Sequence, residues 1–226
     1  MKAMILAAGR GERMRPLTDH TPKPLLSAAD KPLIEHTICQ LVAGGFTEIV
    51  INHAHLGEQI ERYLGNGQQL GANIAYSPEG GQALETAGGI IKALPLLGTE
   101  AFLVVNGDIA TDFPFASLHQ QSVDLAHLVL VGNPEHNPSG DFSLTAEGLL
   151  GDGGEPKYTF SGIGLYRPAL FAGVPQGVSK LAPLLRQAMA GQHVSGQVHQ
   201  GFWMDIGTPQ RLQELDNYYR QNHSNL

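Results

Sequence analysis

The sequence predicts an α/β fold built on a doubly wound, Rossmann-like mixed sheet. In the first half of the chain, short apolar segments alternate four times with segments of helical apolar spacing, and the loops between them have ordinary lengths. The length of 226 residues, with 42% hydrophobic and 15% charged residues, is sufficient for a sizeable core. The chain is therefore predicted to be globular, with a parallel sheet in its first half.

Individual segments of the first half support this prediction in order. Residues 2–7 (KAMILA) are too short for a buried helix and are typical of a strand covered on both faces. Residues 32–43 have helical apolar spacing and end at Gly44-Gly45, a helix stop signal. The same alternation then predicts strands at 48–52, 73–77 and 101–105, and helices at 56–64 and 86–94.

The second half, from about residue 114, is richer in strands. Apolar segments separated by Asn, Pro and Gly clusters predict strands at 127–132, 141–144, 158–166 and 198–204, and an amphipathic helix at 209–220. No linker separates the halves, so we expect a single domain over residues 1–226 with one mixed sheet running through both.

Composition excludes several classes of function. The net charge of −7 argues against nucleic acid as a partner. A single cysteine excludes a disulfide framework or a cysteine-based metal site. No run of 18 apolar residues or targeting segment is evident, so we expect no membrane partner and a cytoplasmic location.

The turn after the first predicted strand is unusually cationic for such an acidic chain. Gly9 and Gly11 allow a tight turn whose N–H groups can face an anion, and Arg10, Arg13 and Arg15 follow closely. The third glycine of a dinucleotide fold and the Gly-Lys-Ser/Thr ending of a P-loop are both missing. Spacing alone is equally consistent with a tight turn bearing solvated arginines.

Two further segments strengthen the case for an anion site. In Thr21-Pro22-Lys23-Pro24-Leu25 two prolines stiffen the backbone around a lysine, which suits a triphosphate. Asp108 follows an apolar strand, where open α/β sheets bind ligands, and Asp205 precedes the last helix. If no ligand binds here, the simpler interpretation is that Asp108 is a turn residue and that Asp205 caps the last helix.

These motifs together resemble the sugar-1-phosphate nucleotidylyltransferases. The resemblance covers Ala8-Gly9-x-Gly11-x-Arg13-Met14-x-Pro16-Leu17-Thr18, Pro22-Lys23-Pro24-Leu25, Asn106-Gly107-Asp108 and the stretch WMDIGTP at 203–209. Glu12 departs from the threonine that is common in this family. The resemblance implies the nucleotide-diphospho-sugar transferase fold, with residues 1–113 binding nucleotide and 114–226 binding sugar.

The resemblance also implies roles for residues of the first half. Asp108 and Asp205 are expected to bind one Mg²⁺, an ion that usually takes only one or two carboxylates. The expected catalytic residues are Arg13, Lys23 and Asp108. Arg13 would contact the departing pyrophosphate, and Lys23 would bridge the α-phosphate and the sugar phosphate. The expected nucleotide-binding residues are Ala8, Gly9, Gly11, Glu12, Arg13, Lys23, Gln82, Thr86 and Asn106. A protein nucleophile is not needed, because the sugar phosphate is already ionised.

The loop at 77–89 and the second half bear on the substrates. Leu84-Glu85-Thr86 departs from the usual Leu-Gly-Thr and resembles the short bacterial N-acetylmuramate-1-phosphate uridylyltransferases of peptidoglycan recycling, which favours UTP. A muramyl sugar carries a lactyl carboxylate, for which Lys157 is a candidate partner, although a solvated lysine is the simpler interpretation. The expected sugar-binding residues are Asn106, Gly140, Asp141, Lys157, Ser161 and Gly162.

Other functions remain open at this point. A cytidylyltransferase for phosphocholine, or a thymidylyl- or guanylyltransferase for glucose- or mannose-1-phosphate, would share the first turn. A nucleotide-sensing regulatory subunit is a non-enzymatic alternative, disfavoured because Lys23, Asp108 and Asp205 are all present. Because a single helix is predicted after Asp205, a monomer is favoured over a dimer.

Overall fold

The computed structural model describes residues 1–81 and 83–223. Its five α-helices are α1 (Leu33–Ala43), α2 (Gly57–Leu64), α3 (Glu85–Leu97), α4 (Leu181–Ala190) and α5 (Pro209–His223). None of these described helices is long and apolar enough to cross a membrane. The strands are β1 (Ala3–Leu6), β2 (Ser27–Ala28), β3 (Lys31–Pro32), β4 (Glu48–His53), β5 (Asn73–Pro78), β6 (Phe102–Asn106), β7 (Ile109–Thr111), β8 (Ala126–Val131), β9 (Phe142–Leu144), β10 (Leu150–Gly151), β11 (Lys157–Tyr166), β12 (Val194–His199) and β13 (Trp203–Asp205).

Nine strands form one sheet that contains elements of both halves of the chain. Its main order is β5-β4-β1-β6-β11-β8-β12, and β9 and β10 continue from the start of β11. Neighbours among β1, β4, β5 and β6 are parallel, as are β8 and β12, whereas β11 is antiparallel to both of its neighbours β6 and β8. The predicted mixed, doubly wound sheet is confirmed.

Helices cover both faces of this sheet. Along β1, Ala3 and Ile5 pack on the face that carries α1 and α2, and Met4 packs on the opposite face with α3 and α4. Successive strand residues point to opposite faces, so a strand covered on both sides needs apolar residues at every position. This burial explains the continuous apolar run in residues 2–7.

A smaller third cluster fixes α5 against the first turn. Met14 from that turn packs with Ile206, which follows β13, and with Leu215 of α5, and all three side chains are fully buried. β13 pairs with β7 in a separate two-stranded sheet. The last helix therefore holds the segment after β13 beside the turn after β1.

The short strands β2, β3, β7 and β10 were not predicted, and two larger differences bear on the second half of the chain. The single strand expected at 198–204 was wrong, because β12 ends at His199 and β13 begins at Trp203, in different sheets. The chain turns at Gly201, where a Cβ atom would collide with Asp112 Oδ1. Helix α4 was not predicted; Pro183 lies in its first turn, where a proline is tolerated because that N–H has no partner in the helix.

Candidate active site

A cleft of about 460 Å³ opens beside the carboxyl ends of β1 and β6. We call it the first cleft. In open α/β sheets ligands bind at this edge, because the loops that leave the strands converge there. It is lined by Leu6, Ala7, Ala8, Gly9, Gly11, Glu12, Arg13, Met14, Lys23, Pro24, Asn52, Glu79, Ala83, Glu85, Thr86, Asn106, Gly107, Asp108 and Gly207. Every residue predicted to bind nucleotide lines it, except Gln82, which lies outside the described residues.

The turn after β1 owes its shape to Gly11. This residue has a φ of +69°, and a Cβ atom there would lie 3.0 Å from Thr18 Cγ2. The Thr18 hydroxyl donates a 2.8 Å hydrogen bond to the Gly11 carbonyl, and the N–H of Met14 donates to the same oxygen at 2.9 Å. Glycine is required because a side chain would be strained and crowded.

Of the three arginines in this turn, only Arg13 lines the first cleft. Arg10 pairs with Glu12 at 2.8 Å, and Arg15 pairs with Asp19 at 2.6 Å. Arg13 forms no ion pair with the described part of the chain. Its guanidinium lies over Gly207, where a Cβ atom would be 3.2–3.3 Å from the guanidinium atoms.

Lys23 and Asp108 meet inside the first cleft. The Lys23 ammonium donates a 2.7 Å hydrogen bond to Asp108 Oδ2. Lys23 is only 8% exposed, and its position between two prolines fixes the backbone from which the side chain extends. The cleft thus holds a buried cation beside a carboxylate, with a second cation at Arg13.

The pairing of β7 with β13 places the backbones of Asp108 and Asp205 close together, although Asp205 does not line the first cleft. Asp205 pairs with Ile109, and the N–H of Ile206 donates a 2.7 Å hydrogen bond to the Asp108 carbonyl. The Asp205 carboxylate accepts a hydrogen bond from Arg211 and lies 3.1 Å from His136 Nε2. The described residues contain no group of three acidic or histidine metal ligands. Two carboxylates suit Mg²⁺, whose remaining ligands are commonly water and phosphate oxygens.

A second, larger cleft of about 860 Å³ adjoins Asp205. The segment after β13 lies between the two clefts, since Gly207 lines the first while Asp205 and Thr208 line the second. The other residues of the second cleft are Val131, Gly132, Pro134, Glu135, His136, Tyr158, Val198, His199, Gln200, Gly201, Trp203, Met204, Gln210, Arg211 and Glu214. The Trp203 ring is anchored by a 2.9 Å hydrogen bond from Nε1 to the Ser161 carbonyl.

Comparison with known proteins decides the family. Residues 2–145 match the protein family described as Nucleotidyl transferase. The chain belongs to this family. It is 59% identical to an N-acetylmuramate alpha-1-phosphate uridylyltransferase of Neisseria meningitidis serogroup B, over 95% of this chain and 96% of that protein. A protein of the same name from Caulobacter vibrioides is 36% identical over 92% of each chain.

Solved structures agree on the fold. A putative glucose-1-phosphate thymidylyltransferase from Bacillus anthracis, crystallised with sucrose, superposes with a TM-score of 0.84 at 24% identity, covering 97% of this chain and 95% of that one. This likeness confirms the predicted nucleotide-diphospho-sugar transferase fold, and the nucleotidyl transferase family confirms the predicted class of enzyme.

The nucleotidyl transferase also contains a buried polar network that sequence reasoning missed. Asn52 Oδ1 accepts a 2.9 Å hydrogen bond from the N–H of Ala7, and Asn52 Nδ2 donates to Glu79 Oε1 at 2.6 Å. Glu79 Oε2 accepts a 2.7 Å bond from the N–H of Leu84. The network joins the turn after β1 to the loop before α3. Asn52 lies near the carboxyl end of a buried strand, the signal that identified Asp108.

Among the predicted sugar residues, Asn106 and Gly162 lie together. Gly162 has a φ of +83°, and a Cβ atom there would lie 2.6 Å from Asn106 Nδ2. Glycine at the bulge in β11 therefore makes room for the Asn106 side chain, which lines the first cleft. The neighbouring Ser161 is 1% exposed, and its hydroxyl donates to the Val129 carbonyl at 2.6 Å.

The other predicted sugar residues of the nucleotidyl transferase lie beside the start of β11. Asp141 accepts a 2.8 Å hydrogen bond from the N–H of Phe160. Gly140, with a φ of +62°, approaches the backbone of Lys157, whose carbonyl accepts a 3.0 Å bond from Asn133. None of Gly140, Asp141 and Lys157 lines either cleft. The structure brings them to one another and not to the clefts.

Proposed function

We propose that this nucleotidyl transferase transfers the uridylyl group of UTP to N-acetylmuramate α-1-phosphate, giving the UDP-sugar and pyrophosphate. The observation that carries the proposal is the meeting of Arg13, Lys23 and Asp108 in one cleft. The choice of base and sugar is supported by the 59% identical relative, whose alignment covers 95% of this chain.

The reaction is an in-line displacement at the α-phosphorus of UTP. An oxygen of the sugar phosphate forms the new P–O bond, and the bond from the α-phosphorus to the bridging oxygen breaks with its electron pair leaving on pyrophosphate. Both reactants are anions, so their approach needs fixed positive charge. Arg13 offsets the charge that grows on pyrophosphate, and Lys23 holds the α-phosphate and the sugar phosphate together.

In this proposal Asp108 and Asp205 hold a Mg²⁺ ion, which when bound supplies positive charge to the phosphoryl oxygens. Without the ion, the positive side chains of Lys23 and Arg211 balance the two carboxylates. Two acidic side chains near a triphosphate would otherwise repel it, so the donor set and the substrate are consistent with a bound divalent cation.

The proposal assigns nucleotide binding to residues 1–113 and sugar binding to residues 114–226, within one domain. Ala8, Gly9, Gly11 and Glu12 face the phosphates. Gln82 and Thr86 belong to the segment 77–89, which we call the base loop because we expect it to contact the base. We expect a monomer acting in the cytoplasm, where UTP is available.

A substrate panel tests the proposal. The purified protein and Mg²⁺ are mixed with UTP, CTP, GTP, ATP or dTTP, and with the 1-phosphates of N-acetylmuramate, N-acetylglucosamine, glucose or mannose, or with phosphocholine. We expect the fastest pyrophosphate release from UTP with the muramyl phosphate. A faster release from another pair, or none from any pair, would contradict the proposal.

Arg13 has a matched control in the same turn. Arg13→Gln should lower kcat/KM by about 100- to 1000-fold, as removal of one transition-state charge contact typically does. Arg10→Gln removes an exposed arginine that is already paired with Glu12, and should leave kcat/KM within a factor of about two. Equal losses in the two variants would refute the role of Arg13.

A further inference from the structure

The second cleft has an unusual balance of charge. Among the described residues that line it, Arg211 is the only lysine or arginine, whereas Glu135, Asp205 and Glu214 are acidic. The two histidines of the cleft already face carboxylates, His136 at Asp205 and His199 at Asp112, at 3.1 Å and 2.8 Å. A negatively charged group that enters this cleft therefore has one permanent cation to bind.

Arg211 is held in place by only one of its three nitrogens. Nη1 donates to the backbone carbonyl of Asp205 at 3.1 Å and also to its carboxylate. Nε and Nη2 form no hydrogen bond with any described residue, and the side chain is 18% exposed. The N–H groups on Nε and Nη2 point the same way and match the two oxygens of a carboxylate.

We propose that this open edge of Arg211 binds the lactyl carboxylate of the muramyl substrate and selects it over sugars that lack an acid; the inference rests on the proposed function. The backbone carbonyl of Asp205, which accepts a hydrogen bond from Nη1, fixes the guanidinium in advance, so little side-chain freedom is lost on binding. Trp203, whose ring is anchored through Ser161, lines the same cleft. Lys157, the carboxylate partner considered from sequence, lines neither cleft.

The test compares two substrates that differ only in the acid. N-acetylmuramate α-1-phosphate and its lactyl carboxamide are assayed with UTP in the wild type, in Arg211→Gln and in Arg211→Lys. Arg186→Gln is the control, because Arg186, on α4, is exposed, pairs with Asp152 and lines neither cleft. The ratio of kcat/KM for acid over amide is internal to each protein and does not depend on the folded fraction.

We expect the wild type and Arg186→Gln to prefer the acid by about 10- to 100-fold, the range of hydrogen bonds to charged groups. Arg211→Gln should bring the ratio to about one, and Arg211→Lys should lie between, since an ammonium lacks the two-pronged geometry.

Two results would overturn the inference. One is a wild type that releases pyrophosphate but does not distinguish acid from amide. The other is an Arg211→Gln variant that loses activity on both substrates by the same factor, which would mean that Arg211 acts only through Asp205. A wild type inactive on both substrates, with UTP, would instead refute the proposed function.

Discussion

The ammonium of Lys23 lies 2.7 Å from a carboxylate oxygen of Asp108. The two residues come from different parts of the chain, one between two prolines and the other directly after β6. The half-exposed carboxylate of Asp108 offsets the cost of burying the charge of Lys23. A buried lysine that already faces an anion is positioned to accept a second anion, the phosphate, in the same place.

Removal of the Lys23 charge should therefore affect the reaction more than the fold. We expect Lys23→Met to lower kcat/KM by about 100- to 1000-fold, because the cation that joins two phosphates is lost. Steady-state pyrophosphate release measures the effect, and thermal unfolding reports whether the variant is folded. Lys92→Met, at an exposed position on α3, is the control and should behave as wild type. A folded Lys23→Met protein with more than a third of wild-type kcat/KM would exclude the assigned role.

Gly207 should control the position of Arg13. A Cβ atom at Gly207 would lie 3.2 Å from Arg13 Nη2, so Gly207→Ala must displace the guanidinium by a few tenths of an ångström. Small misplacements of a catalytic group are costly, and we expect kcat/KM to fall about 10-fold. In an Arg13→Gln background the same alanine should have no effect. Kinetics of the four proteins provide the check, and additive losses would show that Gly207 acts independently of Arg13.

Local sequence patterns were sufficient to predict most of the sheet and the first cleft. The apolar runs of β1, β4 and β6 reflect burial on both faces, and glycines and prolines mark the turns between them. The candidate residues near the strand ends, such as Asp108, could be predicted because their placement depends on the strand alone. Their convergence in one cleft follows from the parallel order of the strands.

The second cleft could not be predicted in the same way. Arg211 reaches Asp205 from the first part of α5, six residues further along the chain, but His136 reaches it from the loop between β8 and β9, a distant part of the chain. Nothing in the local sequence around Arg211 distinguishes it from an exposed helical arginine. Lys157 illustrates the converse, since the sequence made it a candidate partner of the lactyl carboxylate and yet it lines neither cleft.

Glu85 shows local strain at the first cleft. It has a φ of +61°, in the left-handed region where side chains are disfavoured. We expect Glu85→Gly to raise the free energy of unfolding by about 1 kcal/mol. Glu85→Ala removes the carboxylate but retains the strain, so it should give no comparable gain. Urea unfolding of the three proteins measures the difference, and equal stabilisation by alanine would show that charge, and not backbone strain, is responsible.

Exchanging a hydrogen-bond acceptor for a donor in the network of Asn52 and Glu79 should destabilise the protein. Both carboxylate oxygens of Glu79 accept hydrogen bonds, so the amide of Glu79→Gln must place an N–H against a donor, from either Asn52 or Leu84. A buried donor left without an acceptor costs about 1–3 kcal/mol. We expect that loss in urea unfolding, together with a raised KM for UTP, because the base loop is displaced. Glu58→Gln, on α2, is the control.

A Glu79→Gln variant that unfolds like wild type but has a raised KM for UTP would show that the network contributes to nucleotide binding and not to stability. If neither the stability nor the KM changed, these hydrogen bonds would not be what holds the turn after β1 and the base loop together.

His127, on β8, should make stability depend on pH. Its side chain is buried with Nδ1 2.8 Å from Ser195 Oγ, and Nε2 has no hydrogen-bond partner in the described chain. Burial lowers the pKa of His127 from 6.5 to about 4. Between these values the unfolded chain binds a proton that the folded chain does not, so the free energy of unfolding falls as the pH decreases from about 6.5 to about 4. At about 1.4 kcal/mol for each pKa unit, the loss is at most about 3 kcal/mol.

Urea unfolding at several pH values between 4 and 7.5 tests this dependence. We expect His127→Leu to remove the part of the slope that lies below about pH 6.5, because leucine has no proton to bind. The exposed His20 provides the comparison, and His20→Leu should leave the slope as in wild type. If His127→Leu and wild type lose stability in parallel as the pH falls, the buried imidazole is not the titrating group, and the acid sensitivity must come from carboxylates that are paired in the folded chain.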